Sequence, residues 1–289
     1  MYRIATLCLV FCSIVSLAQV PAKRGNLPVQ AISLGEVHTI QSAALGEQRS
    51  LNMYLPPGYS RDDTTRYDVI YLLDGGIDED YIHIVGLVQF NSMEWIARLR
   101  PAIVVGIINT DRKRDFTFPT TVSADKAKYP TTGGSAKFIS FLDNELKPYI
   151  KANFNVSSSA TLIGQSLGGL LATEILLTKT QMFDRYIIVS PSVWWNNGTL
   201  LQLRGAITAS FPSMSTSVYI GVGKEGLAPT EQPHVMEVDA NLLKEKIENY
   251  NNKNLKVYFD YLPGEDHATI GHQAVLNAFR QLNSDAPHK

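Results

Sequence analysis

Short apolar runs rich in β-branched residues alternate along this 289-residue chain with longer stretches whose apolar positions recur at helical spacing. Residues 67–73, 102–108, 160–163, 186–189 and 217–222 are runs of the kind that fill a sheet covered on both faces, and residues 256–262 alternate as a half-buried strand does. Between them, helical spacing marks residues 82–99, a face carrying Phe138, Leu142, Leu146 and Tyr149, another with Leu167, Leu170, Leu171, Ile175 and Leu176, and a third with Leu242, Leu243 and Ile247. Ser135 stands where it can cap the second of these helices, and residues 117–134 before it read as a long polar loop. Near the start, residues 35–45 and 49–55 predict an opening antiparallel pair, closed by Pro56-Pro57-Gly58. Strand and helix in alternation predict the α/β class, with a mostly parallel sheet and helices on both faces. No repeat, low-complexity segment or interdomain linker interrupts the pattern.

The most informative junction is Gly164-Gln165-Ser166-Leu167-Gly168, where the apolar run 160–163 gives way to an amphipathic helix. A serine between two glycines at a strand-to-helix turn is a nucleophile elbow: the turn needs backbone angles and close approaches that side chains obstruct. It holds the hydroxyl over the sheet edge, above a helix N-terminus that favours developing negative charge.

A nucleophilic serine needs a base, which in this architecture follows it in chain order. His267 hangs from the loop Pro263-Gly264-Glu265-Asp266-His267, directly after an alternating strand, and is the candidate. His234 reads as a surface residue, His272 as an ordinary residue of the last helix, and His288 as part of a polar tail. For the acid, Glu225 follows the run 217–222 at the sheet edge; Asp239 is the runner-up, and a Ser-His dyad is the third option. Two backbone N–H groups suit an oxyanion: that of Leu167, after the nucleophile, and that of Gly76, in the loop Asp74-Gly75-Gly76.

Taken together, Tyr71-Leu72-Leu73-Asp74-Gly75, the loop Asn109-Thr110-Asp111-Arg112-Lys113-Arg114-Asp115, the elbow, Ser190-Pro191-Ser192-Val193-Trp194-Trp195 and Gly264-Glu265-Asp266-His267 resemble the putative-esterase branch of the α/β-hydrolases. That branch includes the enterobactin, salmochelin and bacillibactin esterases and is more distantly similar to the mycolyltransferases and S-formylglutathione hydrolases. The resemblance runs from about Gly35 to about Leu282. It implies an α/β-hydrolase fold and an ester hydrolase, with Ser166 as nucleophile, His267 as base, and Gly76 with Leu167 as the oxyanion hole. The implied substrates are siderophore trilactones, with aryl or carbohydrate esters as rivals. An acyltransferase of the mycolyl type and a non-catalytic binding module on a hydrolase scaffold are the alternatives. Gln165 departs from the many relatives that carry histidine before the nucleophile, and the acid varies among them.

Two loops at the sheet edge are candidates for substrate recognition. Trp195 is expected to stack an aromatic acyl group, and Arg112 to meet the negative charge of a catecholate. Against this, a tryptophan pair often splits between core and surface, and Arg112 has acidic neighbours in Asp111 and Asp115.

Composition narrows the classes. With 26 basic and 27 acidic side chains and a net charge of −1, the chain lacks the excess charge of a nucleic-acid or membrane-surface binder. Met1-Tyr2-Arg3, an apolar stretch and Ser16-Leu17-Ala18 read as a secretory signal at residues 1–18, too short to span a bilayer as an anchor, leaving residues 19–289 as one α/β-hydrolase esterase domain in a secreted or periplasmic protein. Both cysteines, Cys8 and Cys12, lie in that leader, so no disulfide is expected beyond it. No histidine pair has the helical spacing of metal ligands, and no metal or cofactor is expected. The sequence says nothing of oligomeric state.

Overall fold

A computed structural model describes residues 30–203 and 215–283. The expected leader, Cys8, Cys12 and His288 lie outside the described residues. The chain divides into residues 1–33 and a compact unit, Leu34–Lys289, and it is the second that carries the elements below.

Eight strands among the described residues form one sheet: β1 (Glu36–Ser42), β2 (Glu47–Tyr54), β3 (Tyr67–Leu72), β4 (Ala102–Ile107), β5 (Val156–Gln165), β6 (Arg185–Val189), β7 (Thr216–Gly223) and β8 (Leu255–Leu262). Their order across the sheet is β1-β2-β4-β3-β5-β6-β7-β8. The first two strands pair antiparallel, as expected, and β2 joins β4 antiparallel; from β4 through β8 every pairing is parallel. The helices are α1 (Tyr81–Asn91), α2 (Arg112–Phe116), α3 (Ser123–Lys128), α4 (Ser135–Phe141), α5 (Lys147–Asn153), α6 (Leu167–Thr178), α7 (Trp195–Gln202), α8 (Met236–Glu248) and α9 (Ile270–Leu282).

Strand alternation separates the interior into two layers. Val69, Tyr71, Ile103 and Val105 point to the face covered by α4, α6 and α8, while Ile70, Leu72 and Val104 point to the face covered by α1 and α9. Burial on both faces explains why the central strands read as continuous apolar runs.

Three local expectations are corrected. The helix foreseen over residues 82–99 ends at Asn91, whose carbonyl accepts the N–H groups of both Arg98 and Leu99, so the chain folds back. The polar loop 117–134 contains α3. Ser135 does not cap α4: its hydroxyl donates to Glu174 Oε1 at 3.0 Å, and Gly134 precedes the helix.

One buried charge cluster fixes the loop after β4. Arg49 is 0% exposed, and its Nη1 donates to Asp115 Oδ2 at 2.6 Å and to Glu47 Oε1 at 2.9 Å. Arg114 Nε reaches the other Asp115 oxygen at 2.8 Å. Removing one member of a buried pair strands its partner's charge in low dielectric. Asp115→Ala is therefore expected to cost about 3–5 kcal/mol of unfolding free energy in a urea titration. A loss under about 1 kcal/mol would mean that the cluster does not hold this loop.

Candidate active site

Ser166 sits between the end of β5 and the start of α6 with φ 58° and ψ −118°, in a region that non-glycine residues seldom adopt. A side chain at Gly164 would overlap the backbone carbonyl of Gly168, so glycine there is what lets the helix turn back beside its own strand. Three backbone bonds lock the turn: Ser166 N–H donates to Val189 O at 3.0 Å, and Ser166 O accepts from Leu170 N–H at 2.9 Å and Ser192 N–H at 3.1 Å. The Leu167 N–H, at the helix N-terminus, has no acceptor among the described residues.

The loop after β8 brings His267 over the serine. His267 Nε2 lies 3.0 Å from Ser166 Oγ and its Nδ1 lies 2.6 Å from Glu225 Oε2. With Glu225 ionised, Nδ1 donates to it and Nε2 is left to accept the serine proton; this tautomer follows from the acceptor-only carboxylate. Glu225 has 2% of its side chain exposed, against 45% for His267. Its Oε1 accepts from Ser190 Oγ and, at 3.1 Å, from Gly223 N–H. Burial alone would raise the Glu225 carboxyl, but hydrogen bonds from His267 and Ser190, the imidazolium charge and the Gly223 N–H outweigh it and hold it below the usual range. Asp239, the runner-up, is bonded instead to His234 at 2.8 Å, so His234 is not a free surface histidine.

Residues that sequence reasoning missed support this chain. Ser190 fixes the acid, and Glu237 accepts the N–H groups of Glu225 and Gly226. Gln165 Nε2 donates to the carbonyl of His267 at 2.7 Å, so its amide steadies the histidine loop. Asp74, Ser166 and Ser190 all have positive φ, each one or two residues past the C-terminal end of a strand, and each carries a site side chain. Flanking glycines mark Ser166 in the sequence, but Asp74 and Ser190 carry no marker beyond their place after a strand.

Three expected site residues are placed differently. Gly76 lies in the foreseen loop, but its N–H donates to Glu79 Oε2 at 2.8 Å, so a carboxylate fills the donor that an oxyanion would need. Arg112 turns its fork onto Asp74, with Nε to Oδ1 at 2.6 Å and Nη2 to Oδ2 at 2.9 Å, and Nη2 also reaches the Gln165 carbonyl at 3.3 Å. Its bidentate face is thereby spent inside the protein rather than offered to a ligand. Trp195 is 0% exposed and donates from Nε1 to Phe118 O at 2.9 Å, so it is a core residue. The chain turns left-handed immediately afterwards, at Asn196, Asn197 and Gly198.

Two cavities flank the serine, and Ser166, His267 and Arg112 line both. The first, about 680 Å³, opens toward α1 and α9 and carries Asp80, His83 and His272. The second, about 450 Å³, is walled by Lys113, Tyr129, Trp194 and Met236, with Leu167 and Ser192 beside Ser166. Trp194 thus occupies the place expected for its neighbour. Among the described residues no cluster of His, Cys, Asp and Glu is arranged to hold a metal ion, and no helix is long and apolar enough to cross a membrane.

Comparison with known proteins gives this geometry a family. A family model described as "Putative esterase" matches residues 42–281. The chain belongs to that esterase family. A carboxylic ester hydrolase of the α/β-hydrolase fold is the class this membership carries. The ferri-bacillibactin esterase BesA of Bacillus subtilis is 28% identical over 258 residues, covering 84% of this chain and 88% of BesA. Two solved structures are also similar. An IroE-like serine hydrolase from Shewanella oneidensis has a TM-score of 0.78 at 28% identity, covering 88% of this chain and 81% of its own. The BES protein from Bacillus cereus has a TM-score of 0.74 at 31% identity, covering 88% of this chain and 97% of its own.

Asp80, in the first cavity of this esterase, offers a pH test. Burial pushes its carboxyl up to about 6, the Asp74 charge adds to the rise, and His83 and Arg112 oppose it. A carboxyl held above its ordinary value of 3.8 binds its proton more tightly in the fold than in the unfolded chain. Its destabilising contribution is therefore absent below about 3.8 and full above about 6. Asp80→Asn is expected to raise the Tm at about pH 8 and to lose most of that gain by about pH 4. An equal gain at both values would place the effect outside this ionisation.

Proposed function

We propose that this chain is a serine esterase that cleaves siderophore esters through an acyl-enzyme. The observation that carries the mechanism is the continuous hydrogen-bonded line from Ser166 Oγ through His267 to Glu225, at 3.0 and 2.6 Å. In this reading Ser166 Oγ attacks the ester carbonyl carbon as its proton passes to His267 Nε2. Negative charge collects on the carbonyl oxygen near the Leu167 N–H. The ester C–O bond then breaks, and the alcohol leaves with the proton from His267. Water repeats the sequence in reverse roles: its proton goes to His267, its oxygen bonds to the acyl carbon, and Ser166 recovers a proton as the acid departs. Glu225 orients the imidazole and stabilises its charged form.

The substrate class is supported by similarity to the ferri-bacillibactin esterase and by the second cavity. Tyr129 and Trp194 offer aromatic surface, and Lys113 Nζ stands 5.1 Å from the Tyr129 ring centroid. An aromatic acyl group bearing negative charge fits those walls, with Lys113 and Trp194 taking the parts first expected of Arg112 and Trp195. The expected leader at residues 1–18 adds the proposal that the enzyme acts outside the cytoplasm, checked by whether exported protein begins at Gln19.

The direct test is turnover of purified protein on a ferric catecholate trilactone, feruloyl esters and p-nitrophenyl esters, with Ser166→Ala alongside. Trilactone turnover is expected in the wild type, and Ser166→Ala is expected to lose about 10⁴-fold or more on every ester. Retention of a tenth of wild-type activity would overturn the nucleophile, and hydrolysis of simple esters without any of the trilactone would overturn the substrate. His267→Ala is expected to match Ser166→Ala, with Glu225→Gln less damaging because the acid does not itself react.

A further inference from the structure

With the Gly76 N–H occupied by Glu79, the Leu167 N–H is one oxyanion donor in need of a second. We propose that the second is the side-chain hydroxyl of Ser192, a catalytic role that rests on the serine mechanism above. Ser192 Oγ lies 3.4 Å from Ser166 Oγ, a long contact for two hydroxyls at rest, and Ser192 is 2% exposed. The backbone holds the two serines together, since the Ser192 N–H donates to the Ser166 carbonyl at 3.1 Å. The Ser192 carbonyl accepts from Trp195 N–H at 3.1 Å, which ties the loop to the buried tryptophan pair. Ser192 and Leu167 line the same cavity, the one whose aromatic walls suit the acyl group proposed above.

Proton counting sets the direction. Each hydroxyl has one hydrogen, and that of Ser166 points to His267 Nε2, so within the serine pair Ser192 is the donor. In the resting site its O–H faces the nucleophilic oxygen. On attack the Ser166 oxygen gives up its electron pair to the new C–O bond, and the carbonyl π pair moves onto the carbonyl oxygen. The charge thereby shifts to an atom attached to the same carbon. A hydroxyl rotates about its C–O bond and follows that shift, and in a buried site it meets little competition from water. The Ser192 proton is not transferred; it remains a hydrogen-bond donor throughout. Glu79 makes the Gly76 side unfavourable by contrast, because a carboxylate at that N–H would repel the oxyanion. This reading also gives the second serine of Ser190-Pro191-Ser192 a task of its own, beside the first, which holds Glu225.

The test compares wild type with Ser192→Ala on a small p-nitrophenyl ester, together with binding of a trifluoromethyl ketone that forms a tetrahedral adduct. Removal of one oxyanion donor costs roughly 10²–10³-fold in kcat. Ser192→Ala is expected to lose kcat by about that factor with KM little changed, to bind the ketone more weakly by a similar factor, and to melt close to wild type. Restoration of kcat by Ser192→Thr, which returns a hydroxyl, would support the donor role further. If Ser192→Ala keeps kcat within a few-fold while a fluorophosphonate still labels Ser166, the Ser192 assignment is overturned and the serine mechanism stands. A rise in kcat in Glu79→Ala with full activity in Ser192→Ala would return the role to Gly76. Failure of the fluorophosphonate to label wild-type Ser166 would overturn the mechanism on which this inference rests.

Discussion

The close approach of a strand's end to the start of its own following helix is the constraint on which the site depends. Gly164 leaves room for the Gly168 carbonyl, and Ser166 accepts a φ of 58° as the consequence. Such backbone strain persists only where its surroundings over-determine it, and here bonds to Val189, Leu170 and Ser192 do so. The neighbouring strands repeat the device, with Asp74 after β3 and Ser190 after β6 also at positive φ. Because these strands run parallel, their C-terminal ends lie along one edge, where their side chains and the helix N-terminus converge.

Electrostatics divides that edge into two kinds of group. Asp74, Arg112, Asn109 and Glu79 bond to one another: Asn109 Nδ2 donates to both carboxylates at 2.6 Å while Arg112 grips Asp74. They build a rigid wall. Ser166, His267 and Glu225 form the other kind, a line whose end at the serine is open to both cavities. The imidazole is partly exposed while the acid behind it stays buried, and Ser190 and Gly223 meet the acid's remaining hydrogen-bonding need.

What was legible in the sequence was whatever follows from order along the chain. The alternation of runs specifies a parallel sheet whose following loops lie at one edge; the flanking glycines single out Ser166, and place after a strand brings His267 and Glu225 beside it, where the structure joins the three by hydrogen bonds while Asp239 turns to His234. What was not legible depends on which strands become neighbours. β4 lies outside β3, so the loops after both strands meet, and Arg112 finds Asp74 rather than the acids beside it in sequence. The same is true of Glu79, only three residues from Gly76: composition cannot say whether its carboxylate turns inward. Of the two tryptophans, Trp194 lines the second cavity while Trp195 is held by the Phe118 carbonyl, a partner 77 residues away that nothing beside the pair announces. Ser135 met every local condition for a cap and was taken by a tertiary partner, Glu174, instead.

The central claim is that Ser166 carries the acyl group between two half-reactions, and trapping that intermediate tests it most directly. Acid-quenching the enzyme during turnover of an ester with a slowly hydrolysed aromatic acyl group, followed by peptide mass analysis, should show the acyl mass on the peptide containing Ser166. It should be absent from His267→Ala treated in the same way, because without the base the serine does not attack. An acyl group on a different residue, or turnover with no covalent adduct at any quench time, would contradict the account.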